Sequence, residues 1–492
     1  MSCTTLLVGK AVSYDGSTLV GRNEDSCNGE WNPKKFVIVN PEDQPRHYRS
    51  VISHVEVELP DNPLRYSSTP EAIKGGGTWA AAGINDANVA MNATETITTN
   101  ERVLAADPLV ELIAAVGTEG ESGYIPELAG GLGEEDFVTC VLPYIHSARE
   151  GVIRLGALLS EYGTYEMNGI AFSDAHEIWW LETIGGHHWI AVRVPDDCVV
   201  TMPNQLGIDF FDMKDAFGEG INFLCSEDLR EFISANHLDL SLDGQFNPRY
   251  AFGSHSDADH VYNTPRAWDL QRTLTPHGAL WVGPDAEFTP ESDDIPWAVH
   301  PERKLTVADV KDLLSRHYQG TPYDPYGRGG DPAQRRMYRP IGINRTSELS
   351  ILQLRADGPE ATRAIHWLAF GSNVFNAIVP QFVGVSRTPE YFSNTSSRVS
   401  TESFYWANRL IAAMADAHFY DCAPLIERYQ QAVPARALAL MYEVEDEADE
   451  QIREQTNDAI ADVVREETNK LLACVLDTVS LRMTNSFSRN DG

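Results

Sequence analysis

No run of about eighteen apolar residues occurs anywhere in the chain, so the sequence offers no helix suited to span a bilayer. No positively charged segment leads into an apolar stretch near the start, which argues against a secretory signal. Paired cysteines are also missing. The seven cysteines (Cys3, Cys27, Cys140, Cys198, Cys225, Cys422, Cys474) are scattered, odd in number and nowhere in Cys-x-x-Cys spacing. That excludes a zinc ribbon or a disulfide framework and points to a reducing cytoplasm. Basic residues are scarce, 38 Lys and Arg against 72 Asp and Glu for a net charge of −34. Nucleic acid and anionic membrane surfaces are therefore poor partners, and solubility is favoured. Gly75-Gly76-Gly77 lacks the lysine and hydroxyl of a phosphate loop, and no His-Glu-x-x-His motif is present. His255, Asp257, Asp259 and His260, with His187-His188, supply metal-ligand types but no converging spacing, so a polar loop is expected and neither metal nor cofactor.

What is present concentrates at the start. Cys3 opens an apolar, β-branched segment, Tyr14-Asp15-Gly16-Ser17 has turn composition, and Thr18-Leu19-Val20-Gly21-Arg22 has the pattern of a returning strand. This hairpin would bring Arg22 and Asp25 back beside Cys3. If Cys3 becomes the first residue, its own α-amino group, with a pKa of ~7.7–8.0, is a base beside a thiol of ~8.5. A nearby guanidinium favours the thiolate, the attacking species. Asp25 would orient the amine. Cys27 is the rival thiol, but it lacks an N-terminal amine.

At 492 residues the chain exceeds the ~250–300 over which one core grows, so a main domain plus an accessory region is expected. Up to about residue 400 the pattern is that of hairpins interrupted by helices, as in 169–172, 177–182 and 189–194, fitting antiparallel sheets with helices on their faces. The Pro- and Gly-rich segment 310–340 predicts a long irregular loop. From Ser403 onward helical spacing takes over, across 404–429 and 434–472, with an acidic run at 443–450 that suits a solvated helix face. The expected division is a main domain over 1–402, with residues 1–2 removed, and a helical extension over 403–492, packed on it or used in oligomer contacts.

Cys3-Thr4-Thr5 followed by Gly21-Arg22-Asn23-Glu24-Asp25 resembles the opening of cysteine-type N-terminal nucleophile hydrolases, above all the peptidase C69 dipeptidases, relatives of penicillin V acylase and bile salt hydrolase. The resemblance continues through Thr78-Trp79-Ala80-Ala81-Ala82-Gly83-Ile84-Asn85 and Val89-Ala90-Met91-Asn92-Ala93-Thr94-Glu95-Thr96, read as a second strand pair, and through Met202-Pro203-Asn204-Gln205 and Tyr262-Asn263-Thr264-Pro265-Arg266. It extends past Asn344-Arg345-Thr346 and Ile365-His366-Trp367 to about Gly384. What it implies is an α+β fold of four-layer αββα type with a C-terminal helical extension. It also implies a cysteine dipeptidase acting on short peptides through an acyl-enzyme, with Asn92 and Asn204 as oxyanion donors and Arg22 and Arg266 holding the thiolate or developing charge. Asp25 completes the implied catalytic set of Cys3, Arg22, Asp25, Asn92, Asn204 and Arg266.

One departure from that pattern is Ser2, which stands between the initiator methionine and Cys3, so a second cut at the Ser2-Cys3 bond is required, attributed to the chain itself. Alternatives within reach are a related amidase on acyl-amino acid conjugates, with the same site and another pocket shape, and a secernin-like binding protein. Short peptides and a second copy of the chain are the expected partners, the latter as a homo-oligomer.

Overall fold

The hairpin forms where the sequence places it. Thr4–Val8 and Thr18–Asp25 pair antiparallel with Thr5 opposite Arg22. Gly16 takes φ 80° in the turn, a conformation that costs a residue without Cβ little. The Asp15 carboxylate fixes the turn by accepting from the Ser17 amide at 3.1 Å and the Ser17 hydroxyl at 2.6 Å. The computed structural model describes residues 3–486 except Asn28, Gly29, Lys74, Asp243 and Glu447. Met1 and Ser2, and with them the expected cut at Ser2-Cys3, lie outside the described residues.

The hairpin is the centre of a seven-stranded antiparallel sheet, in the order Ala298–Val299, Val199–Met202, Thr4–Val8, Thr18–Asp25, Thr346–Leu354, Ala364–Phe370 and Val379–Phe382. A second, six-stranded antiparallel sheet runs Phe223–Cys225, Trp189–Arg193, Ile178–Thr183, Asn168–Ser173, Ala90–Thr96 and Ala82–Ile84.

Strand alternation sorts the side chains into separate cores. Leu7 and Val20 of the first sheet share one buried cluster with Ala171, Trp180, Ile190 and Val192 of the second. Their neighbours Leu6, Val8 and Leu19 point the other way, into a cluster with Val310 and Leu314. On the far side of the six-stranded sheet, Ile170, Phe172 and Leu181 pack on the helices Phe137–Val141 and Ala148–Tyr162. Gly151 makes that last contact possible, since a Cβ there would sit 2.3 Å from the Phe172 ring. The fold is thus a mixed α and β structure built on antiparallel sheets, and no helix among the described residues is long and apolar enough to cross a membrane.

Two expectations change in detail. Of segment 78–85 only Ala82–Ile84 is a strand. Trp79 and Ala81 before it adopt φ 45° and 53°, values that non-glycine residues adopt at a cost. The C-terminal helices are Phe404–Ala415, Phe419–Tyr442 and Glu450–Ser480, so Pro434 lies inside a helix instead of opening one. A proline there forgoes one backbone hydrogen bond, and the buried faces around Tyr429, Val433 and Ala437 hold the helix together. Those faces share one continuous core with Ile351, Trp367 and Phe370 of the sheet. Cys27, the rival thiol, is exposed, as is Cys474.

Several carboxylates are buried, and burial raises Asp136, Glu182 and Glu95 each to about 7. A carboxyl group protonated in the folded chain and ionised in the unfolded one (~4) adds stability that is present at low pH and lost as pH rises through the folded value. We therefore expect the melting temperature to fall between about pH 4, the unfolded value, and about pH 7, the folded one. Glu182, which accepts from the Gly207 amide at 2.7 Å and the Trp180 indole at 3.0 Å, is the place to test it. Glu182→Gln should flatten the slope in thermal melts, and a slope unchanged by it would show that these groups ionise freely in the fold.

Candidate active site

Cys3 stands immediately before the strand Thr4–Val8, is fully buried, and by alternation lies on the same face as Thr5 and Leu7. On the adjoining strand Val20, Arg22 and Glu24 share that face. The Arg22 guanidinium donates to Cys3 Sγ at 3.0 Å through one nitrogen, which also donates to Glu134 Oε1 at 2.7 Å. Its other terminal nitrogen lies 3.5 Å from Glu24 Oε2, and Glu24 Oε1 is 2.5 Å from the Lys34 ammonium. Lys34, fully buried, is completed by the Trp79 carbonyl at 3.0 Å. Arg22 is thus wedged between two carboxylates and the sulfur, with a Lys–Glu pair behind it.

The electrostatic outcome at the sulfur differs from the simple expectation of a thiolate. Burial pushes the Cys3 thiol well above its ordinary value; Arg22 pulls it down, but Glu95 and Glu134 add to the rise. Burial thus opposes the thiolate that Arg22 favours, and a base beside the sulfur would assist its deprotonation.

The backbone of Cys3 is held separately. Its nitrogen donates to Asn204 Oδ1 at 3.1 Å, and Asn204 Nδ2 donates to the Thr96 carbonyl at 2.8 Å. Arg266, on the helix Thr264–Leu274, donates to the Cys3 carbonyl, to the Thr4 hydroxyl at 2.6 Å, and to Asn204 Oδ1 at 2.7 Å. Burial and the neighbouring Arg339 pull Arg266 down to about 9. Both residues therefore grip the main chain at Cys3, and the amide of Asn204, expected as an oxyanion donor, spends a hydrogen on Thr96. Asp25 is elsewhere. Three positions from Arg22 along a strand, it occupies the opposite face, with its carboxylate on the Arg339 guanidinium and the Thr346 hydroxyl, the latter at 2.6 Å. The amine-orienting contact expected of it is absent among the described residues.

Asn92 belongs to the second sheet. Ala90, two residues earlier, packs against Leu352 and Leu354 of the first sheet, so alternation turns Asn92 to the same layer between the sheets. It is 2 % exposed, and neither polar atom of its amide has a partner among the described residues. A bulge between Ala93 and Glu95 then brings Glu95 to that layer too, where it accepts from the Thr5 hydroxyl at 2.7 Å. An orphaned buried amide is costly, and both atoms of this one are available to a group bound between the sheets.

Glu134, Glu24, Lys34 and Arg339 escaped the sequence reading. The run Glu134-Glu135-Asp136 has the composition of a surface loop, yet all three are buried. Only the Gly-Leu-Gly just before it hinted at a tight approach to the core. Of possible ligand groups for a cation, His255 and His260 both lean on Asp293, at 3.6 and 3.0 Å, and His187 and His188 both contact Asp107. Asp197, Cys198 and His300 are the one grouping of three close donor atoms among the described residues, at the sheet edge.

The chain is 55% identical, over all of its length and all of the relative's, to a dipeptidase of Bifidobacterium longum. It is 53% identical, again over the whole of both chains, to a probable dipeptidase A of Streptococcus pyogenes. Dipeptidase A of Lactobacillus helveticus is 43% identical over 95% of this chain and 92% of its own. The family model for peptidase family C69 matches residues 2–432. With a match over most of its length, the chain belongs to peptidase family C69, and it is a peptide-bond hydrolase.

Proposed function

We propose that the protein is a cysteine-type dipeptidase of N-terminal nucleophile type, in which Cys3, exposed by removal of Met1-Ser2, attacks the peptide bond of a dipeptide. The observation that carries this reading is the placing of one buried thiol at the start of the central strand, 3.0 Å from Arg22, with its own nitrogen held at 3.1 Å by Asn204. The names of the relatives support the substrate class. The two sheets, with a shared core between them and helices outside, support the four-layer αββα arrangement of that fold type.

In the mature chain the Cys3 nitrogen is an α-amine with a pKa near neutrality (~7.7–8.0). It takes the thiol proton as sulfur bonds to the scissile carbonyl carbon, while Arg22 balances the charge on sulfur. The carbonyl oxygen becomes an oxyanion, and Asn92, with an amide free to donate, stabilises it by ~2.7–4 kcal/mol if it behaves as a typical donor. Collapse breaks the C–N bond, and the leaving amine collects the proton from the α-ammonium. Water then attacks the thioester, the α-amine acting again as base. Asn204 and Arg266 keep the amine and the strand end in register with the carbonyl. No step calls for a metal.

Intact mass and N-terminal sequencing of the purified protein test the reading. We expect active material to begin at Cys3. Protein that hydrolyses dipeptides while beginning at Met1 or Ser2 would rule out the α-amine as base.

A further inference from the structure

A dipeptidase must tell an N-terminal residue from an internal one, and the carboxylates beside Cys3 offer the means. Glu95 and Glu134 both oppose ionisation of the thiol, so they burden the nucleophile when the site is empty. Glu95 is engaged by the Thr5 hydroxyl, and Glu24 is matched to Lys34. In the acidic run, Glu135 accepts from the Ser50 hydroxyl and the amides of Val51 and Ile52, while Asp136 accepts from the Tyr48 hydroxyl and the Gly133 amide. These two hold the loop, and Glu134 alone of the three turns to the nucleophile. Gly133 allows the loop to sit so deep, because a Cβ there would meet the Tyr165 ring at 2.2 Å. Behind Glu134, its amide donates to Glu166 Oε1 at 2.7 Å, which brings a second carboxylate to the same corner.

Resting on the dipeptidase reading above, we propose that Glu134, supported by Glu166, binds the free α-ammonium group of the substrate's first residue. The geometry is set by one guanidinium nitrogen of Arg22, which touches Cys3 Sγ at 3.0 Å and Glu134 Oε1 at 2.7 Å. In any amino acid the α-nitrogen lies ~2.5 Å from the carbonyl carbon. A carbonyl under attack by Sγ therefore carries its ammonium into reach of a carboxylate that is one guanidinium nitrogen away. A carboxylate offers about four acceptor positions, so the Arg22 contact and an ammonium are compatible. The second, independent sign of a ligand is Asn92, buried between the sheets with both amide atoms without a partner among the described residues. Its amide would take the carbonyl oxygen of the same residue. Arrival of the ammonium neutralises Glu134 and removes part of the penalty on the thiolate, so the correct substrate helps to activate its own nucleophile.

The test compares p-nitrophenyl esters of alanine and of N-acetylalanine, whose activated leaving group lets both turn over. Native enzyme should prefer the free amine by ~10²-fold or more in kcat/KM, a size expected when a charged group loses its buried partner. Glu134→Gln should lose most of that preference, through the free-amine ester, with the acetylated one changed a few-fold. Equal losses on both esters would show that Glu134 only supports Arg22 and would overturn the proposal, as would native enzyme indifferent to acetylation. Should Glu134→Gln fail to fold, the native preference measured against pH decides: it should decline as the substrate amine deprotonates near pH ~8, and a flat ratio counts against an ammonium subsite. Failure of the underlying reading has a separate signature, hydrolysis that persists in Cys3→Ala.

Discussion

Cys3→Ala is expected to lower kcat/KM for a dipeptide by ~10⁴-fold or more while the fold survives, because removing the covalent nucleophile disables the other members of the unit with it. The replacement itself is mild. Cys3 is fully buried and its sulfur accepts one side-chain hydrogen bond among the described residues, from Arg22, so the loss of stability should stay near the ~1 kcal/mol typical of single substitutions. Thermal melts alongside the kinetics separate loss of chemistry from loss of fold. If the cut at Ser2-Cys3 is made by the Cys3 thiol, the same variant also keeps its first residues, which intact mass reads directly. Cys3→Ser should fall between: a hydroxyl is present but ionises far less readily than a thiol. A folded Cys3→Ala chain with more than a few per cent of native activity would relocate the nucleophile, and exposed Cys27 would be the first thiol to examine.

Much of this site was legible because it is local or punctuated. The hairpin that pairs Thr5 with Arg22 follows from two β-branched runs around an Asp-Gly-Ser turn. Asn92 and Arg266 were found through motif order, and they do come to the layer and the strand end where Cys3 lies. The separation of Asp25 from Arg22 was also there to be read, since an odd spacing on a regular strand sends two side chains to opposite faces. Arg339 was out of reach: its partnership with Asp25 closes over 314 positions, and nothing in the irregular 310–340 segment marks one arginine among several.

Glu134-Glu135-Asp136 misled for a physical reason. Three consecutive acids imply solvent unless something neutralises or bonds each of them. Here each has its own partner from a distant segment: Arg22 for Glu134, the Ser50 turn for Glu135, and Tyr48 for Asp136. Burial of charge is decided by tertiary pairing, which local composition does not encode. The same holds for Lys34, fully buried through Glu24 and the Trp79 carbonyl. The strained backbone at Trp79 and Ala81 presents that carbonyl, so an expected strand gave way to a conformation that serves the ion pair behind Arg22.

Arg22→Met should be the most damaging single change to the structure and nearly as damaging to activity. Native Arg22 is 1% exposed and meets Glu134 at 2.7 Å and Glu24 at 3.5 Å. Methionine fills much of the same volume but leaves Glu134 without that cation in a buried site, and breaking one side of a buried ion pair costs ~3–5 kcal/mol. Lys34 still serves Glu24, so the cost falls mainly on Glu134, and Arg22→Met with Glu134→Gln should regain part of the stability. Arg22→Lys keeps the charge but cannot bridge sulfur and carboxylate with one planar fork. It should recover most of the stability and only part of the activity. Urea unfolding reports the first quantity. The pH dependence of Cys3 alkylation by iodoacetamide reports on the sulfur without reference to substrate, and it should move to higher pH in Arg22→Met, because the guanidinium that touches the sulfur and favours its thiolate is gone. An alkylation profile unchanged by this substitution would mean that Arg22 serves Glu134 and Glu24 and leaves the sulfur to the α-amine alone.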